Sequence, residues 1–248
     1  MQTIVKIAAT SALIALGSAA LAGGVTVEAT PPPVAPPPAP APAANWTGFY
    51  AGATLGFAWS QANHCDQGFN CTPGAADQPD TDPQGAVAGI MLGYNHQFAN
   101  DFVLGIEGDY NFTAMEGSFG DLPGFNCGGP GQCVTEVENF ATLRARFGYA
   151  FGRTMPYITG GVATTSYYGS INGGAATGSG RITQAVAGAG IEHMIGDRWT
   201  VRGEVIHFFD PQNGDLIQYD NVNECGAPGC ALIDFTNTVA RVGVAYRF

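Results

Sequence analysis

Eight ionisable side chains recur at alternating positions: Glu107 and Asp109, Arg144 and Arg146, Glu192, Arg202 and Glu204, and Arg241. A spacing of two puts each pair on one face of an extended strand. Carboxylates and guanidiniums gathered on one face can neutralise each other through charge-assisted hydrogen bonds. A charge left alone in a narrow interior would be costly, so a closed ionic network is the expected chemistry. Hydrolysis is not expected, because it needs a histidine beside a nucleophile. His193 and His207 fall on the opposite, apolar parity, His96 lies near a turn and His64 lies in a loop beside Cys65. No serine motif accompanies any of them, so no catalytic residue is assigned and no cofactor is expected.

The six cysteines form three close pairs, Cys65/Cys71, Cys127/Cys133 and Cys225/Cys230. An even count in an exported chain favours disulfides. Three local bridges are expected, with links between loops as the alternative. The Cys-x-x-Cys spacing of zinc sites is absent at every pair, and no metal site is assigned. Asp77-Gln-Pro-Asp-Thr-Asp82 supplies oxygens for a hard cation but lacks the glycine-centred spacing of a calcium loop. Asp215, Asp220 and Glu224 share a segment with the last cysteine pair.

The elements that must carry these groups are strands. In Gly48 to Ser60, one parity holds Phe49, Ala51, Ala53, Leu55, Phe57 and Trp59, and the other holds Tyr50, Gly52, Thr54, Gly56, Ala58 and Ser60. The same alternation recurs in Gly85 to Phe98, Phe102 to Ala114, Val137 to Phe151, Pro156 to Tyr168, Arg181 to Ile195, Trp199 to Asp210 and Phe235 to Phe248, giving eight strands. Ala99 to Asp101, Gly152 to Met155 and Gly196 to Arg198 read as tight turns. Gln61 to Gln84, Met115 to Glu136, Gly169 to Gly180 and Pro211 to Asp234 read as long loops that hold all the cysteines.

Composition identifies the solvent of the apolar face. The chain is 46% hydrophobic and only 12% charged, whereas soluble domains carry roughly 25% charge. After the leader no run approaches the ~18 apolar residues of a membrane helix. Hydrophobicity without long runs is how a transmembrane barrel is written. Aromatic residues near strand ends, balanced charges on adjacent strands and a final Phe248 favour this over a soluble barrel. The expected fold is therefore an all-β, eight-stranded, antiparallel up-and-down transmembrane barrel, with short periplasmic turns, long extracellular loops and both termini in the periplasm.

Residues 1–22 read as a signal peptide, with Lys6, an apolar core and Ala20-Leu21-Ala22 before the cut. Residues 23–44, rich in proline and alanine, read as an extended periplasmic linker, and 45–248 as the barrel. The formal net charge of −11 makes nucleic acid an improbable partner.

The closing Arg241-Val-Gly-Val-Ala-Tyr-Arg-Phe248 resembles the terminal signal read by barrel-assembly machinery, with Arg241, Gly243, Tyr246 and Phe248 in the signal's places. Asn45-Trp-Thr-Gly-Phe-Tyr-Ala-Gly, Leu92-Gly-Tyr-Asn-His-Gln97, Gly105-Ile-Glu-Gly-Asp109, Pro156-Tyr-Ile-Thr-Gly-Gly161 and Gly188-Ala-Gly-Ile-Glu192 add to this. As a set they resemble the small porin-like outer-membrane β-barrels, a group that includes the immunogenic surface proteins of alphaproteobacteria and the OmpA/OmpX-like eight-stranded barrels. The resemblance covers the strands of 45–248 and not the loops, where the cysteine pairs depart from it. It implies a surface-exposed outer-membrane protein. Its partners would be outer-membrane lipid, the assembly machinery and an unnamed cell-wall or surface ligand. A non-enzymatic barrel that supports the envelope and displays loops is expected, with a narrow solute channel or an adhesin as the alternatives.

Overall fold

The computed structural model describes residues 44–65, 81–120, 133–174, 176–209, 215–217 and 231–248. The strands are β1 (Gly48–Cys65), β2 (Gln84–Gln97), β3 (Phe102–Phe119), β4 (Cys133–Tyr149), β5 (Thr154–Ile171), β6 (Ala176–Ile195), β7 (Trp199–Phe208), β8 (Asp215–Ile217) and β9 (Ala231–Arg247). Each pairs antiparallel with its neighbour, and β9 returns to β1, so eight strands close a barrel. The three-residue β8 pairs only with the far end of β9.

Period-two patterning decides which wall each residue joins. Leu55, Ile90 and Val242 are 62%, 65% and 64% exposed on the outer wall. Their strand neighbours Thr54, Met91 and Arg241 are buried in the lumen. Following paired residues from Phe49 through Tyr94, Ile106, Ala145, Gly160, Ala187, His207 and Thr238 leads back to β1 at Trp59, a stagger of ten residues. Eight strands with that stagger tilt about 40° from the barrel axis. Ten residues of β1 at about 3.3 Å each then rise about 25 Å, the height of an apolar membrane band. Exposed aromatic rings border the band. Phe49, Phe102, Phe147, Trp199 and Phe248 lie at the short-turn end, and Phe57, Trp59, Phe112 and Phe209 at the other.

The short turns reverse through left-handed backbone at Asp101 (φ 65°), Gly152 (φ 59°) and Gly196 (φ 74°). At the opposite end the strands run further than their hydrophobic alternation does. Two expectations change as a result. Gly169 to Gly180 is not a long loop: β5 and β6 stay paired to Ile171 and Ala176, and a short turn joins them. Cys65 and Cys133 are likewise not loop residues but the last position of β1 and the first of β4. The cause is common to both. Backbone ladders need no apolar side chain, so pairing continues where both faces are polar or small and the pattern disappears.

One irregularity changes parity. Between the pairs Phe112–Asn139 and Met115–Val137, β3 carries an extra residue, and β4 in turn carries an extra Glu138 against β5. Val137 and Phe140, three residues apart, consequently both point inward.

Candidate functional site

The lumen is filled in three layers. At the short-turn end Trp46, Val103, Ala150, Met155, Tyr157 and Met194 form an apolar cluster. Toward the long-strand end Phe140, Phe208, Ile182, Ile206, Met115, Tyr167 and their neighbours form a larger one. The ionic layer lies between them.

All eight charged residues singled out by alternation meet in that layer. Arg144 on β4 reaches Glu107 on β3 (2.6 Å), Asp109 on β3 (2.9 Å) and Glu204 across the lumen on β7 (2.8 Å). Arg146 pairs with Glu192 on β6 (2.6 Å) and, at 3.4 Å, with Glu107. Arg202 donates to Glu107 at 2.5 Å. Arg241 on β9 binds Asp109 (3.0 Å) and Glu204 (2.8 Å), with Glu107 at 3.9 Å. Four guanidiniums face four carboxylates, so the formal charges cancel, and every partner side chain is at most 2% exposed.

Burial on this scale holds only if the remaining donors and acceptors are also satisfied. Polar residues of the inner parity supply much of that. The Tyr50 hydroxyl accepts from Arg146 Nη1 and donates to Glu107 Oε2, both at 2.7 Å. The Tyr157 hydroxyl donates to Glu204 (3.1 Å), and the Arg146 guanidinium sits 4.0 Å over the Tyr157 ring. Thr142 donates to Asp109 (2.7 Å) and accepts from Arg144 Nε (2.9 Å). Asn111 donates to Asp109 and accepts from Arg241 (3.2 Å). Sequence reasoning did not assign these four to the site, although inward parity marks each of them. Arg202 keeps Nε and Nη2 unpaired, and the Arg146 Nε and the Thr54 and Thr200 hydroxyls are unpaired as well.

The base is closed by residues ahead of β1. Trp46 is fully buried; its indole N–H donates to the Gly152 carbonyl (3.1 Å) and its backbone N–H to Gln97 Oε1 (2.8 Å). Arg247 stacks over the indole at 5.5 Å and donates to the carbonyls of Asn45 and Thr47. This cap was not foreseen, because no periodicity marks residues 44–47.

Three histidines stand outside the ionic layer. His193 and His207 face outward and hydrogen-bond across strands to Thr154 and Thr238, each at 2.9 Å. His96 sits edge-on to Phe98. The C-terminal residues divide between the walls. Arg241 joins the network, and Gly243 lies between Thr54 and Arg202, where a Cβ would meet Thr54 Cγ2 at 3.1 Å. Tyr246 packs on Trp199 (5.2 Å) and Phe248 on Tyr246 (5.4 Å). Among the described residues no cysteine thiol is free. Cys71, Cys127, Cys225 and Cys230 fall outside the described residues, as do residues 77–80, 220 and 224, the leader and nearly all of the linker.

The chain is similar to known proteins. The 31 kDa outer-membrane immunogenic protein of Brucella melitensis is 33% identical over 186 residues, covering 71% of this chain and 76% of that protein. The 25 kDa outer-membrane immunogenic protein of Brucella abortus is 29% identical across the whole length of both chains. Among solved structures, OprG from Pseudomonas aeruginosa superimposes with a TM-score of 0.46 at 11% identity, over 83% of this chain and 98% of that one. The family model for the outer membrane protein beta-barrel domain matches residues 12–248. Closed antiparallel sheet, apolar outer wall, ionic interior and family match lead to one statement: this chain belongs to the outer-membrane protein β-barrel family and is a protein of the outer membrane.

Proposed function

We propose that this protein is a non-enzymatic barrel with a closed lumen that supports the envelope and displays its long-strand end at the cell surface. The observation that carries this is the charge-neutral ionic layer held between two apolar plugs. Ions crossing such a lumen would have to break buried pairs and displace packed side chains. Three of the four short turns, those after β2, β4 and β6, lie at the end where β1 begins and β9 finishes, and in this class of barrel short turns face the periplasm. That supports periplasmic termini. The relatives named as immunogenic support exposure of the other end. There the pairs Cys65/Cys71, Cys127/Cys133 and Cys225/Cys230 would staple the connections, and mass mapping without reductant should find each pair within one peptide. The closing strand would hand the chain to the assembly machinery through Arg241, Gly243, Tyr246 and Phe248.

Single-channel recording of purified protein in planar bilayers is the test. A silent bilayer is expected; steady ohmic openings would defeat the closed lumen. The second reading is a narrow channel, favoured by the unpaired donors of Arg146 and Arg202 beside the network.

A further inference from the structure

The outer wall is not uniformly studded. Between Val201 and Val205 on β7 the outward position is Gly203, flanked in register by Ile191 on β6 and Val242 on β9, with Leu55 of β1 beyond Val242. Around it lies an open groove of about 790 Å³, lined by Gly203, Ile191, Val242, Val244 and Leu55 and ending at the Thr154–His193 pair. Glycine weakens a strand, and nothing in the packing demands one here. A Cβ on Gly203 would meet no atom within 4 Å, and its φ is not left-handed.

The lower end of the groove leads to a cationic ledge. Trp199 and Tyr246, the next outward residues below Val201 and Val244, pack edge to face. The Arg198 guanidinium hydrogen-bonds the Tyr246 hydroxyl at 2.6 Å and lies 6.0 Å over its ring. Its neighbour Arg153 is matched by Asp197 at 3.6 Å. Arg198 is fully exposed and pairs with no carboxylate among the described residues. An apolar groove at membrane depth, with a cation one outward residue beyond its end, is complementary to a single lipid whose headgroup is an anionic phosphate.

We propose that this face holds one ordered anionic phospholipid, with an acyl chain along Gly203 and its phosphate on Arg198. An acyl chain is complementary to the apolar lining around Gly203, and the Arg198 guanidinium, which pairs with no carboxylate among the described residues, supplies the complementary charge. The proposal does not depend on whether the lumen conducts.

The test uses the mature protein reconstituted with phosphatidylglycerol or phosphatidylcholine, extracted in detergent, stripped stepwise and weighed by native mass spectrometry. Heat-modified gel migration reports folding for every variant. Wild type should retain one phosphatidylglycerol after other lipids have left. Gly203→Leu, which fills the groove, and Arg198→Gln, which removes the cation, should each lower that occupancy about tenfold. Gly160→Leu, at an outward position with room on β5, should leave it unchanged. Equal retention in all folded variants, or equal retention of both lipids by wild type, overturns the proposal. So does a dimer that Gly203→Leu dissociates, which would make a second copy the occupant.

Discussion

The two walls of this barrel are made from the same strands yet follow opposite rules. Leu55, Ile106 and Val244 face outward and are 43–62% exposed. Glu107, Arg144 and Glu204 face inward and engage partners on β3, β4, β7 and β9 at once. At these positions the outer wall is specified by chemical type. The inner wall is specified by identity and position, because a buried charge needs its counterpart within reach.

Breaking the inner wall should therefore cost most. Glu107→Leu leaves Arg202 without a carboxylate partner among the described residues and takes one of several partners from Arg144 and Arg146, and a loss of about 3–5 kcal/mol is expected. Urea unfolding in lipid vesicles would measure it, and a loss below that of an outer-wall methyl deletion would refute the role of this hub. Next comes Leu55→Arg, which puts a charge on the lipid side near mid-height. It should cost about 2–4 kcal/mol in the same assay. A sharper contrast comes from one strand and one residue type. Val239 is buried in the lumen cluster and Val242 is exposed to lipid. Val239→Ala should cost about 1–2 kcal/mol through the cavity it leaves. Val242→Ala should cost less than half as much, since its methyls lie against acyl chains in the folded barrel. Equal losses would erase the distinction between walls. Smallest is Tyr50→Phe. It removes a hydroxyl bridging Arg146 and Glu107 at about 1 kcal/mol, with Arg146 and Glu107 still within 3.4 Å of each other.

Much of this was legible from alternation. Parity alone separates Leu55 from Thr54 and brings Arg144, Arg146, Glu107 and Glu204 to one face, because period two is the geometry of the strand itself. What alternation cannot give is what lies off the strand or beyond the lipid. Trp46 has no periodic neighbours, so its position under the base is unreadable. Glu138 shifts β4 by a residue, and only the partner strands reveal it. From Gly169 to Gly180 all residues but Ile171 are small or polar, so the pattern stops although the hydrogen-bonded ladder runs on to Ile171 and Ala176. Tyr50 sits among glycines on the inner face of β1, and its parity was visible. Its role emerged only once Arg146 and Glu107 were seen on either side of it.

The ionic layer also constrains how the protein can be built. Arg144 leaves β4 for β7, Arg202 leaves β7 for β3, and Arg146 leaves β4 for the Tyr50 hydroxyl on β1. None of these partners belongs to an adjacent strand. A half-formed sheet lying open in a bilayer would leave these cross-lumen partners unmet. Closing the seam brings Arg241 of β9 to Asp109 and Glu204 and so completes the electrical neutrality of the whole.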